Sequence, residues 1–194
     1  MQNVKVLLLN GPPRSGKTTV AAALAEAFPG RCAVIGFSYH LKQFTHGIYL
    51  GRSGWDAPPD CFDATKSEPQ SMLGGLSWRE VYIHYSERVI KPLHGDEWFG
   101  EQFVRAARQT GKDLILVPDS GFREEGARVI REAGAENVRL ARIRREGCGY
   151  AGDSRGYIDL SDLGVPPLDV TNVTGQPHLL FQALQPVAAA LLGQ

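Results

Sequence analysis

Gly11-Pro12-Pro13-Arg14-Ser15-Gly16-Lys17-Thr18 has the spacing G-x-x-x-x-G-K-[ST], which suits the holding of phosphate oxygens. The motif follows an apolar run and opens an alanine-rich stretch, so it reads as a strand, a loop and a helix start. Successive backbone amides at a helix start face one point and carry the positive end of the helix dipole. Gly11 and Gly16 permit close backbone approach. Pro12 and Pro13 have no N–H to offer, which leaves the amides from about Arg14 to Thr18 as donors. Lys17 is placed to reach the β- and γ-phosphates of ATP, and the Thr18 hydroxyl to ligate Mg²⁺. The expected ATP contacts are Gly11, Arg14, Ser15, Gly16, Lys17, Thr18 and Thr19.

Such chemistry needs an acid at the tip of a neighbouring strand. Leu114-Ile115-Leu116-Val117-Pro118-Asp119 supplies one. Asp119 is expected beside Thr18, holding the metal or accepting a proton; the alternative is a cap for the helix that follows. A run of arginines, Arg142, Arg144 and Arg145, precedes glycines and Asp153-Ser154-Arg155. Guanidinium groups match planar phosphate oxygens and glycines permit closure, so residues 142–157 read as a lid, with Arg142 and Arg144 as candidate catalytic groups.

The elements that position these groups follow from pattern. Val4–Leu9, Cys32–Gly36, Asp113–Val117, Val138–Ile143 and Leu168–Val173 read as strands. Thr18–Phe28, Ser38–Leu50, Ser77–Ile90, Glu97–Gln109, Phe122–Ala133 and Pro177–Leu192 read as helices. Ser38 is the expected cap of the second helix, and Ser77 with Glu80 has capping-box spacing. Pro92 is expected to end the helix before it. Gly51–Gly75, rich in glycine, proline and polar residues, reads as a long excursion. Alternation of strand and helix predicts an α/β, three-layer arrangement: a parallel sheet of about five strands flanked by helices. The 194 residues read as one domain of P-loop kinase type, with an insertion near 38–95.

Composition narrows the class. The formal net charge is zero, which argues against tight non-specific binding to nucleic acid. No apolar run is long enough to span a membrane, and Met1-Gln2-Asn3-Val4-Lys5 lacks a signal-peptide layout, so a cytoplasmic protein is expected. Cys32, Cys61 and Cys148 are far apart and form no C-x-x-C pair, which argues against a disulfide scaffold or zinc site. No Asn-Lys-x-Asp guanine motif and no Ser-Gly-Gly-Gln-like signature is present. That leaves small P-loop kinases as the class expected at this length.

Several motifs in order carry a resemblance. They are Leu9-Asn10 with the phosphate loop, Phe37-Ser38-Tyr39-His40-Leu41-Lys42, Gly74-Gly75-Leu76-Ser77-Trp78-Arg79-Glu80, Ser86-Glu87-Arg88-Val89-Ile90-Lys91-Pro92, and Asp119-Ser120-Gly121-Phe122-Arg123-Glu124-Glu125. With them the sequence resembles the phage deoxynucleoside monophosphate kinases and their relatives that phosphorylate 5-hydroxymethyluracil in DNA. The resemblance implies an acceptor site at Ser38, Lys42, Arg79, Glu87, Lys91 and Arg123, with ATP and Mg²⁺ as cofactors. The acceptor is then a free deoxynucleoside monophosphate or a modified base in DNA, the setting is an infected bacterial host, and a homodimer is allowed. The alternatives are a P-loop kinase of a small metabolite and an ATP-binding protein that is not an enzyme. Two departures stand out. Relatives often have Asp after the loop lysine, where this chain has Thr18. Relatives often have Arg before the phenylalanine, where this chain has Gly121 and carries Arg123 two residues later. Trp55, Trp78, Tyr82 and Tyr85 are candidates to stack a base, or to form core. Arg79, Ile83 and Ser86-Glu87 are at helical spacing and so are expected to share a face.

Overall fold

A computed structural model describes residues 4–58, 60–153 and 155–194. The expectations that touch Met1 to Asn3, Ser154 and the side chain of Trp55 lie outside the described residues. The chain divides into two compact units, Met1–Phe37 with Gly100–Gln194, and Ser38–Phe99.

The first unit is built on five strands: β1 (Lys5–Asn10), β2 (Cys32–Val34), β3 (Leu114–Ser120), β4 (Val138–Arg144) and β5 (Pro167–Thr171). All neighbours pair in parallel, in the order β2-β3-β1-β4-β5. Helix α1 (Lys17–Ala27) follows β1, α7 (Arg123–Ala133) follows β3, and α8 (Pro177–Leu191) closes the chain. Alternation along β1 explains the layers. Leu7 and Leu9 join Val20, Ala21 and Leu24 of α1 and Leu180, Leu184 and Ala188 of α8 in one buried cluster. Leu8 faces the other way, toward Gly126 of α7, whose missing side chain leaves room for Leu8 and Leu160. A sheet covered on both faces must read as near-continuous apolar strands, as β1 and β3 do. The α/β architecture expected from the sequence is therefore the observed one.

Boundaries differ where tertiary pairing outweighs local pattern. β3 runs three residues beyond Val117, through a register shift opposite Leu8–Asn10, so Asp119 lies inside the strand's last turn of pleat. β2 is shorter than expected, because pairing to β3 ends at Val34, although Ile35 still donates to Leu116 O.

The second unit contains α2 (Tyr39–Leu50), α3 (Arg52–Asp56), α4 (Trp78–His84), a π-helical turn (Tyr85–Ile90), and α5 (Lys91–His94). Helix α6 (Trp98–Gln109) begins at its end. Ser77 and Glu80 form the expected capping box: Glu80 N–H donates to Ser77 Oγ and Ser77 N–H to Glu80 Oε2. Ser38 occupies the cap position of α2 but makes no side-chain capping bond. Pro92 does not end the helix. It falls in the first turn after the π segment, where a missing N–H costs little. The π turn also breaks the 3.6-residue period on which the shared face of Arg79 and Glu87 was expected.

The aromatic residues of this unit are mainly core. Trp78 is fully buried, stacked on Phe62 at 4.7 Å and on Tyr82 at 5.8 Å. His46, also fully buried, meets Trp78 edge-on at 4.8 Å, and its Nε2 lies 2.7 Å from the Tyr82 hydroxyl. Base stacking by Trp78 is thereby corrected: a ring with no exposed surface cannot receive a base. Burial first, and the Lys42 charge second, hold the His46 imidazole below its ordinary value. The unfolded chain therefore binds a proton near pH 6.5 that the folded chain resists. Stability from this group is complete above that pH and declines as pH falls below it. Urea unfolding between pH 7.5 and 5.5 should show a falling midpoint, and His46→Gln should flatten the upper part of that fall. An unchanged slope in His46→Gln would place the acid sensitivity elsewhere.

Candidate phosphate-binding site

The end of β1 lies where the chain's connections diverge, toward β3 and β2 on one side and β4 and β5 on the other. In open parallel sheets this is where a crevice forms for ligands. The loop 11–16 occupies it. Arg14 (φ 64°) and Gly16 (φ 98°) both have left-handed backbone, which turns the chain sharply into α1. The first helical bond of α1 runs from Val20 N–H to Gly16 O. The amides of Gly16, Lys17, Thr18 and Thr19 thus precede the helical ladder and form its positive end. Ser15, expected among the donors, instead gives its N–H to Pro12 O at 3.2 Å.

A cavity of about 190 Å³ opens at this helix start, lined by Arg14, Gly16, Lys17, Thr18, Thr19 and Arg145. Three of these are cations and none is an acid, so the cavity favours an anion. Lys17 is nearly buried, with Nζ donating to Pro12 O at 2.7 Å and 3.4 Å from Ser15 Oγ. Gly11 is fixed by contact rather than by angle: an added Cβ would come within 2.6 Å of Ile143 O and 2.8 Å of Ser15 Oγ.

Asp119 is held from the neighbouring strand end. Its Oδ1 accepts the Phe37 N–H at 2.8 Å, and Gly36 passes so close that a Cβ there would sit 2.6 Å from Oδ2. The cap of α7 is Phe122, with no side-chain capping bond, so the helix-cap alternative for Asp119 is not what forms. Among the described residues no cluster of three metal-ligating side chains exists. Mg²⁺ is a hard cation that keeps several waters and takes oxygen ligands, so a hydroxyl and a carboxylate are the donor types that suit it. Thr18 lines the cavity, and Asp119 lies at the end of β3.

The arginines sort differently from expectation. Arg142 and Arg144 are residues of β4, two apart and so on one face, and Asp169 lies in register opposite Arg142. Asp169 pairs with both, at 2.5 Å to Arg142 Nη2 and 3.1 Å to Arg144 Nε. That pairing pushes the Arg142 guanidinium up and the Asp169 carboxyl down. Neither arginine belongs to a lid, because cross-strand pairing fixes them. Arg145, just past the strand, does reach the loop: its Nη1 donates to Arg14 O at 2.9 Å. Arg155 lies farther along the same segment. It pairs with Asp153 at 2.7 Å and packs over Gly121, where a Cβ would meet its side chain at 2.6 Å. Arg123 is taken up by Asp162, at 2.5 and 3.0 Å, and by Asp159 O at 2.6 Å.

The 142–157 segment, expected to be a lid, is anchored at several of its described residues. Buried Asn10 donates to Ser120 O (2.9 Å) and Gly156 O (2.8 Å), lies 3.2 Å from the Tyr150 hydroxyl, and accepts the Ile158 N–H at 3.1 Å. Tyr157 donates to Ile143 O at 3.2 Å and carries Arg144 over its ring at 4.7 Å. Burial raises the Tyr150 phenol to about 12, so it stays a neutral hydrogen-bonding partner.

Lys42, Arg79, Glu87 and Lys91 of the second unit, expected around an acceptor, make local contacts. Lys42 pairs with Asp63 at 2.7 Å; Arg79 donates from Nε to Ser67 Oγ at 3.1 Å and from its N–H to Lys66 O at 2.8 Å. Lys91, the first residue of α5, pairs with Glu87 of the π turn at 2.7 Å, and Ser86 Oγ donates to Glu87 at 2.9 Å.

Sequence reasoning passed over Asn172, which donates from Nδ2 to Ser15 O at 2.8 Å. Its signal was position: a polar residue at the carboxyl end of a strand in a parallel sheet.

No family of known proteins matches the chain, and no curated protein matches it. Among solved structures it is similar to a gluconokinase from Sinorhizobium meliloti 1021, at 11% identity and a TM-score of 0.43, over 100% of this chain and 94% of that one.

The two arginine positions give a test. Arg145→Ala should weaken MgATP binding about tenfold, the scale of a charged hydrogen bond. Arg142→Ala should leave it within about twofold, since its charge is already paired. Calorimetric titration of both variants with MgATP measures this; equal losses would contradict the assignment.

Proposed function

We propose that the chain is an ATP-dependent phosphotransferase, a P-loop kinase whose acceptor is a deoxynucleotide. The observation that carries the transferase reading is the cavity at the start of α1: amides of a helix end, Lys17, Arg14 and Arg145 around one space, with the Thr18 hydroxyl in its wall. Such a cavity matches the triphosphate tail in charge and in donor geometry. The acceptor reading rests on the order of the motifs from Phe37 to Glu125, and the zero net charge favours a free monophosphate over DNA.

Transfer asks little covalent chemistry of the protein. The acceptor oxygen forms a bond to the γ-phosphorus while the bond to the β,γ-bridging oxygen breaks, leaving ADP. Lys17 and the amides of Gly16 to Thr19 hold the phosphate oxygens and offset the charge that moves toward the bridging oxygen. Mg²⁺, when bound, would supply further neutralisation of that charge. Thr18 and Asp119 would hold it, and the Phe37 N–H keeps the Asp119 carboxylate oriented. A monophosphate acceptor attacks as an anion and needs no proton removed, whereas a hydroxymethyl acceptor must lose one. Asp119 has only the metal-holding role in the first case and is also the candidate base in the second.

ADP release from MgATP should be measured with the four common deoxynucleoside monophosphates, hydroxymethyl-dUMP, and DNA with and without 5-hydroxymethyluracil. Turnover is expected with at least one monophosphate and absent in Lys17→Ala. Asp119→Asn should lose roughly a hundredfold or more in rate, as metal-positioning and acid–base groups do. Turnover on modified DNA alone would replace the free-nucleotide reading; turnover on none would end the nucleotide-kinase reading.

A further inference from the structure

A peptide unit is planar and trans, so its C=O and N–H point in opposite directions. Fixing one fixes the other. The Ser15–Gly16 peptide has its carbonyl held from outside the loop by Asn172 Nδ2 at 2.8 Å. Its N–H, which belongs to Gly16, must therefore point away from Asn172. Gly16 lies in the wall of the phosphate cavity. Asn172 is itself rigidly placed. It is 6% exposed, and its own N–H donates to Arg144 O at 2.8 Å, which ties it to the end of β4. Contact is so close that a Cβ on Gly16 would lie 2.4 Å from Asn172 Nδ2. Gly16 is thus required twice, once by its φ of 98° and once by the approach of Asn172.

We propose that Asn172 is a positioning residue for the phosphate site: by holding the Ser15 carbonyl outward it aims the Gly16 amide at the β-phosphate side of a bound nucleoside triphosphate. The inference rests on the phosphate-loop reading above and adds a residue outside the loop motif. The amide group matters because it donates. A carboxylate of the same shape presents oxygen to oxygen, repels the Ser15 carbonyl and favours rotation of the peptide, which takes the Gly16 N–H out of the cavity. Asn172 touches neither acceptor nor reacting atoms in this scheme, so its effect is confined to the nucleotide.

The probe is MgATP, and MgADP for binding at rest. Asn172→Asp should raise the KM and Kd for MgATP by roughly ten- to a hundredfold, the scale of a charged or buried hydrogen bond lost together with a misdirected donor. The KM of the acceptor should stay put, and the variant should keep the wild-type circular dichroism. Asn172→Ser, small and neutral, should fall between the two. A residue that merely held β5 in place would alter both substrates and the melting temperature together, and would show no difference between Asp and Ser. In the wild-type protein, MgADP should shift the Gly16 amide proton more than that of Ser15, which donates within the loop. Full MgATP affinity in Asn172→Asp, or a Gly16 amide that ignores MgADP, would overturn the proposal. Loss of binding in Lys17→Ala alongside a normal Asn172→Asp would do so while leaving the phosphate-loop reading intact. If wild type and Lys17→Ala bind MgATP equally, the phosphate-loop reading falls and Asn172 with it.

Discussion

Backbone amides can hold a phosphate only if the carbonyls of the same peptides point elsewhere and find donors there. This constraint organises the first unit. The loop after β1 turns Arg14 O and Ser15 O outward, and each meets a side-chain donor, Arg145 at 2.9 Å and Asn172 at 2.8 Å. Both donors come from chain segments that follow β4 and β5. The strand order places those ends on one side of β1. The other side is given to β3 and β2, whose ends supply Asp119 and the Phe37 amide that holds it. The two flanks of β1 are therefore unlike: one ties down the loop carbonyls, and the other carries a carboxylate at its strand end.

Charge is partitioned in the same way. The chain has equal numbers of acids and bases, so a cationic cavity requires acids to be kept elsewhere. Asp169 takes up Arg142 and Arg144, Asp162 takes up Arg123, and Asp153 takes up Arg155. These pairs are mostly exposed and add little to stability. Their consequence is spatial: they remove carboxylates from the reach of the phosphate cavity, whose lining has no acid.

The parts legible in the sequence are those governed by short-range rules. The apolar runs of β1 and β3, the capping box at Ser77, and the glycine–lysine–threonine spacing are local signals, and each appears in the structure where pattern put it. The position of Asp119 at the end of β3 was legible from the apolar run that precedes it. What escaped depends on pairing between distant segments. That Arg142 would face Asp169 follows from the β4–β5 register, which no local pattern encodes. That Arg145, one residue past the strand, would be the arginine at the loop follows from where β4 stops. The partners of Asn172 and Asn10 escaped for the same reason: each asparagine stands at a strand end, and only the fold gives it two backbones to join.

The second unit shows how far a periodic reading carries before geometry departs from it. Up to His84 the helix follows its capping box and buries Trp78 and Val81, as a 3.6-residue period requires. From Tyr85 to Ile90 the turn widens to the π form, so residues beyond it rotate away from the positions that α-helical counting assigns. A π turn sacrifices regular bonding and persists where something else is gained, and such turns frequently occur at functional sites. Here the turn carries Ser86 and Glu87, and Lys91 opens α5 directly after it; the three interact through the Glu87 carboxylate. The 2.7 Å Lys91–Glu87 pair holds a lysine whose side chain is only 12% exposed, so the cation is set in place before any ligand arrives.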